Sequence, residues 1–451
     1  MVILMKSFNR IKKITITLPI AAIIVILMIG VSWSVAAEKI NFYFPTSVQG
    51  PLTREMQKMV KQYNEMQNDV KVVATFTGSY EETKIKASAA VKAGRPPAVA
   101  LMSANFIHEF VAEDQIEPIE FFLKESKQTT SDFLSDFWPG LHANATVNGK
   151  LYAIPFQNST PILYINADHF REAGLDPDNP PKNWEELVVA GKKLIRKEGE
   201  KTTRYGLMLP MQYNYVNWVF QGFVMSNGGQ YYNTHYLGEV YYDTSTTRGA
   251  LQFYSDLIHK HGIMPASITN SKQVSTDFFA GRTSMMILST GTLSHVRKNA
   301  QFNYNVGFVP SKVRNGVPIG GASMIIFKGI TEKERDAAWD FVSWLTAPEQ
   351  LGSWSRFSGY FAPRKSSYEM PVMKEFMAKN KDAAVALDQL QYAGPWYSTF
   401  KTVAVAKPIG DAIQAVVTGK KTVEEVIPEA QRKADELLKP YNAAHSYIQG
   451  Q

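Results

Sequence analysis

Apolar positions change period repeatedly along the chain, and each change marks an element. Ile40–Phe44 is a short apolar and aromatic run of strand character. Leu52, Met56, Met59, Val60 and Tyr63 then fall on one face of a helix. Val70–Phe76 is rich in β-branched and aromatic residues and reads as a second strand. Ser79-Tyr80-Glu81-Glu82 has the spacing of a capping box and opens a helix to about Val91. Gly94-Arg95-Pro96-Pro97 stops it, and Ala98–Met102 is another short apolar run. Strand, helix, strand, helix, strand over this stretch predicts an α/β fold with a parallel sheet and crossover helices.

Farther on, Asn148-Gly149-Lys150 reads as a turn, and Leu151–Phe156 and Pro161–Asn166 flank a polar loop, Gln157-Asn158-Ser159-Thr160. Trp184, Leu187, Ala190 and Leu194 have helical spacing, and a tyrosine-dense segment follows from Tyr213 to Tyr242. Thr283–Ser289, Tyr304–Pro310 and Ser323–Lys328 are strand candidates, with a helix expected at Leu293–Asn299. Thr331 and Glu334 form a second capping box, ahead of an apolar stripe at Ala338, Phe341, Val342 and Leu345. The C-terminal third is mostly of helical pattern and ends with Thr422–Leu438. No repeat or low-complexity linker separates these parts, so the chain is expected to form two interleaved α/β lobes and to pass between them more than once.

The first 37 residues stand apart. Lys6, Arg10, Lys12 and Lys13 precede the apolar run Ile14–Ser34, and Val35-Ala36-Ala37 closes it. That order is the mark of a secretory signal cleaved after Ala37, with an uncleaved membrane anchor as the alternative because the run is long. Either way the bulk of the chain is expected outside the cytoplasm, in the periplasm. The net charge of +7 falls to +3 without those four cations, and no long basic block remains. A nucleic-acid partner is not expected.

Chemistry-bearing motifs are sparse. With no cysteine among 451 residues there are no disulfides, thiolate metal sites, thiol nucleophiles or lipid-attachment cysteine. His108-Glu109 begins a zinc-type HExxH pattern, but Ala112 stands where its second histidine belongs, so no metal is expected. No phosphate loop, dinucleotide fingerprint or nucleophile elbow occurs, and no cofactor is expected. Glu81, Glu82, Glu185 and Glu186 sit in first helical turns, where they complement the helix dipole. What remains is a neutral polar and aromatic inventory at the ends of elements. Tyr80 follows a cap, Ser289-Thr290-Gly291-Thr292 follows a strand, and Tyr213, Tyr215 and Trp218 supply aromatic faces.

Several ordered segments carry a resemblance. They include Thr77-Gly78-Ser79-Tyr80-Glu81, Gly149-Lys150-Leu151-Tyr152-Ala153-Ile154-Pro155-Phe156, Ser159-Thr160-Pro161-Ile162-Leu163-Tyr164 and Ala173-Gly174-Leu175-Asp176-Pro177. Others are Pro181-Lys182-Asn183-Trp184, Phe278–Leu293, Ile319-Gly320-Gly321-Ala322-Ser323, Gly359-Tyr360 and Thr418-Gly419-Lys420-Lys421. On these the chain resembles the carbohydrate-type solute-binding proteins of ABC importers, nearest to the glycerol-3-phosphate and glycerophosphodiester binders. The resemblance implies a two-lobed periplasmic-binding-protein fold with the solute in a cleft between lobes joined by hinge segments. It implies lobe one at 38–140 and 288–327, and lobe two at 141–287 and 328–451. It also implies a monomer that catalyses nothing and hands its solute to the permease's transmembrane subunits.

Matched position by position, the implied solute contacts are Tyr80, Ser159, Ser289, Gly321 and Tyr360. Two solute-specific charges of the glycerol-phosphate binders are missing. Ala104 stands where they have an acid, with Asn105 beside it as a replacement, and Ala406 stands where they have an arginine, with Lys407 beside it. A lysine does not reproduce a bidentate phosphate fork. The expected solute is therefore a sugar, a polyol or a glycerophosphodiester in preference to free glycerol 3-phosphate. A membrane-anchored periplasmic glycan hydrolase is the alternative. It requires two carboxylates about 5–10 Å apart, and none of the five matched positions is acidic.

Overall fold

The structure, a computed structural model, describes residues 37–46, 50–124, 127–213 and 215–445. Apart from Ala37, the expected leader lies outside the described residues. Two sheets organise the molecule. The first contains β1 (Glu38–Pro45), β2 (Val70–Gly78), β3 (Val99–Ser103), β4 (Ile154–Ser159) and a strand from late in the chain, Gly320–Ile326. The second contains β5 (Pro161–Asn166), β6 (Met285–Ser289) and β7 (Tyr304–Gly307), and the late strand Gly320–Ile326 is β8.

In the first sheet β1 lies between β2 and β3 and is parallel to both, while β8 is antiparallel to β3 and to β4. Those directions bring the C-terminal ends of β2, β3 and β4 and the N-terminal end of β8 to one edge. In sheets of this kind ligand groups gather beyond that edge. The crossover helices are α1 (Pro51–Met66), which buries Leu52, Met56, Met59, Val60 and Tyr63 as its spacing predicts, and α2 (Tyr80–Lys92). The expected capping box of α2 forms in full: Glu82 N–H donates to the Ser79 hydroxyl, and the Glu82 carboxylate accepts from Ser79 N–H.

The second sheet is antiparallel, with Ser289 of β6 opposite Pro161 and Tyr304 of β7 opposite Asn166. It is wrapped by α3 (Trp184–Leu194), α4 (Tyr215–Ser226), α5 (Ser245–Ser255) and α6 (Leu293–Asn299). Helices α7 (Glu332–Leu345) and α8 (Pro348–Ser358) cover the first sheet instead, through Phe341, Leu345, Leu351 and Trp354. Two late helices, α9 (Thr402–Val417) and α10 (Val423–Ala444), return to the second core.

Two features differ from expectation. Gln157-Asn158-Ser159 is not a loop: these residues complete β4 and are buried. Polar residues in a strand look like a loop when read alone, but here Gln157 Nε2 donates to Tyr80 and Asn158 Nδ2 to the Gly320 carbonyl at 3.3 Å on the neighbouring strand. The division of the chain also differs. The first core takes in β4, α7 and α8, and the second takes in Leu293, Val296, Val306 and Val309. Periodicity names an element's type but not the sheet it joins, which is decided by ladder partners far away in sequence. Apart from Ala104, Leu141 and Phe361, which pack on the second core from within first-core segments, the described chain crosses between cores at Thr160, between β7 and β8, and between Met373 and Ala386.

Candidate functional site

At Thr160 the two sheets meet end to end. Ser159 ends β4, Pro161 begins β5, and the Thr290 N–H that follows β6 donates to the Thr160 carbonyl at 2.9 Å. Side chains from both lobes converge there. Tyr80, the first residue of α2, accepts a hydrogen bond from Gln157 Nε2 at 3.0 Å, and its hydroxyl lies 3.5 Å from that of Tyr360. Tyr360 follows the C-terminus of α8, where Gly359 takes the left-handed conformation with φ 93°. Its ring packs so closely over Gly291 that a Cβ at Gly291 would lie 2.6 Å from it.

From the second lobe, Tyr215 accepts from Ser289 N–H at 3.3 Å, and the Ser289 hydroxyl accepts from Gly291 N–H at 3.0 Å. The Ser289 carbonyl is held by the Tyr164 hydroxyl at 2.7 Å. Burial, then the neighbouring Tyr360 hydroxyl, pushes the Tyr80 phenol well above its ordinary range, and burial raises Tyr215 in the same direction. Both phenols are therefore neutral hydrogen-bonding groups at physiological pH.

Gly321 lies at the start of β8 with φ +86°, and a Cβ there would come 1.8 Å from the Gln157 carbonyl. Only glycine permits that approach of two strands. Beside it Trp218 covers Gly320, donates from Nε1 to the Ile319 carbonyl at 2.9 Å, and meets Tyr215 edge-on at 5.5 Å. Asn105, just after β3, accepts from the Ser103 hydroxyl at 2.7 Å on its side chain. Its carbonyl accepts from the hydroxyls of Ser398 at 3.0 Å and Thr402 at 3.2 Å, which belong to the opposite lobe.

The fold thus brings Tyr80, Ser159, Ser289, Gly321, Tyr360, Tyr215 and Trp218 to one junction, with Asn105 on its rim. Tyr213 is not brought there. It is 43% exposed and its hydroxyl donates to Asp411 on the outer side of α9. Lys407 also turns outward, to Asp411 at 2.6 Å and to Tyr213, whereas Ala406 is buried. The lysine therefore does not stand in for the missing arginine. Sequence reading missed Gln157 as a candidate; its only signal was its place two residues before Ser159, on the same face of a strand taken for a loop. Among the described residues no cluster of acids and histidines could hold a metal ion, and no helix is long and apolar enough to cross a membrane.

Residues 58–386 match the family of bacterial extracellular solute-binding proteins. The chain belongs to this family. It is a solute-binding protein of the ABC-importer type, which binds a small solute and works with permease subunits. The sn-glycerol-3-phosphate-binding periplasmic protein UgpB of Yersinia pseudotuberculosis is 27% identical over 436 residues, 91% of this chain and 95% of that protein. UgpB from Mycobacterium tuberculosis, solved in complex with glycerophosphocholine, has a TM-score of 0.78 at 22% identity, covering 90% of this chain and 99% of that one. Maltose-bound MalE3 of T. maritima has a TM-score of 0.75 at 24% identity, covering 89% and 99%. This family's two-lobed fold agrees with the architecture described above.

Proposed function

We propose that this protein captures a neutral or singly charged polyhydroxyl solute, a sugar, a polyol or a glycerophosphodiester, at the junction of its lobes in the periplasm. The observation that carries the reading is the convergence of Tyr80, Ser159, Ser289, Gly321, Tyr360, Tyr215 and Trp218 from both lobes, none of them charged. Contacts from both lobes make solute binding and lobe closure one equilibrium, and the closed form is what the permease receives. Asn105 supplies a further polar contact at the rim.

Free glycerol 3-phosphate, named for several curated relatives, is the second reading. A dianion gains most from a cationic fork, and here the matched position is a buried Ala406 with Lys407 turned to Asp411. The protein acts as a monomer, catalyses no reaction and has no nucleic-acid partner; its N-terminal segment is a secretory signal. Calorimetry with maltose, trehalose, glycerophosphocholine and glycerol 3-phosphate tests the solute class. Tight binding of glycerol 3-phosphate alone contradicts the proposal.

A further inference from the structure

A glutamine side chain has a donor end and an acceptor end, and in Gln157 only one is used. The residue is 1% exposed. Its Nε2 donates to Tyr80 Oη at 3.0 Å, while Oε1 is buried without a hydrogen-bond partner among the described residues. Native interiors leave few buried polar atoms in that condition, and each calls for an explanation. The backbone aims this one. The β4–β8 ladder slips by one residue between Ala322, opposite Gln157, and Ser323, opposite Pro155. Such a bulge re-aims the neighbouring side chain, and bulges gather beside binding sites. Ser159, two residues on, shares the face of Gln157.

We infer that Gln157 reads a hydroxyl donor of the solute. Resting on the solute class proposed above, Oε1 accepts a hydrogen bond from a solute O–H, and Tyr80 holds the amide in the orientation that presents it. Phosphate oxygens of a diester anion or a doubly ionised monoester only accept, so they cannot satisfy Oε1. The residue therefore favours the hydroxyl-bearing part of a solute and disfavours a phosphate at this point of the site. It is a specificity contact that no charge pattern in the sequence announces.

The test uses the full mature chain and two variants, Gln157→Glu and Gln157→Met. Each is titrated calorimetrically with maltose, trehalose, glycerophosphocholine and glycerol 3-phosphate, and each is melted without ligand. Glu keeps an acceptor for the solute and loses the Nε2 donor, so Tyr80 must turn its hydroxyl to donate to the carboxylate; Met keeps neither the acceptor nor the donor. For the tightest hydroxyl-bearing probe, Met is expected to weaken binding about ten- to a hundredfold, and Glu to remain within about fivefold of wild type. The ligand-free melting temperature of Gln157→Met should change by no more than about 2 °C, since loss of the Nε2–Tyr80 hydrogen bond is offset by removal of the unpaired acceptor. A merely structural role would lower that melting temperature and weaken all probes alike. Affinity of the Met variant within about threefold of wild type, or a Glu variant as weak as Met, overturns the assignment while leaving the cleft reading intact. A wild-type protein that binds none of the hydroxyl-bearing probes overturns the cleft reading itself.

Discussion

Glu109 joins the two lobes, and its removal has a calculable effect. One carboxylate oxygen accepts from Lys84 Nζ at 2.5 Å within its own lobe, and the other accepts from Thr402 N–H at 2.8 Å in the opposite lobe. Thr402 opens α9, and Lys401 before it has φ +55° and offers no side-chain cap. The helix therefore takes its N-cap from Glu109. Glu109→Ala removes a capping acceptor, about 1 kcal/mol, and a negative charge at the positive end of the helix dipole, about 0.3–1 kcal/mol or more when partly buried. The stranded Lys84 side chain is 21% exposed and reaches water, so the larger penalty of a trapped buried charge does not apply in full. The expected loss is about 2 kcal/mol for Ala, and about half of that for Glu109→Gln, which keeps an acceptor. Urea unfolding gives the values, with coincident probes checking that one transition describes both lobes. A double-mutant cycle with Lys84→Met separates the ion pair from the cap. If Glu109→Ala costs less than about 0.5 kcal/mol, or Gln costs as much as Ala, the capping argument is wrong.

Other expectations follow from the same contacts. Gly321→Ala combines a positive φ with a Cβ placed 1.8 Å from the Gln157 carbonyl, so it should cost about 3 kcal/mol or more in urea unfolding and abolish solute-induced closure seen by solution scattering. His108 is 6% exposed, and burial lowers its pKa from 6.5 to about 4. A histidine kept neutral by the fold contributes stability that is complete above pH 6.5 and is lost as pH falls toward 4, at most about 3 kcal/mol. His108→Leu should flatten the wild-type stability profile across that window, and a profile identical to wild type would show that the imidazole titrates normally. Lys407→Ala should leave affinity for every solute within about twofold, because its amine is spent on Asp411 at the surface.

Much of the fold was legible before any coordinates. Met56 and Tyr63 fall on the buried face of α1, and both capping boxes, at Ser79 and Thr331, start helices where their spacing says. These signals are local, since a capping box spans four residues and an amphipathic face repeats every turn. The carried-over residues Tyr80, Ser289 and Tyr360 were nameable too, through matched segments. What the chain alone left undecided is where side chains end up once strands find partners. Gln157 reads as loop until β8 pairs with β4 and a bulge turns its amide toward Tyr80. Tyr213 and Tyr215 are near-neighbours in sequence, yet one meets Asp411 at the surface and the other meets Ser289 in the interior. Ala406 and Lys407 divide in the same way across the face of α9. Local spacing sets element type because backbone hydrogen bonds and side-chain faces repeat within a few residues. Lobe membership, the glycine-lined approach of β8 to β4, and the meeting of two lobes at one cluster depend on pairings across more than a hundred residues, which only the packed tertiary structure decides.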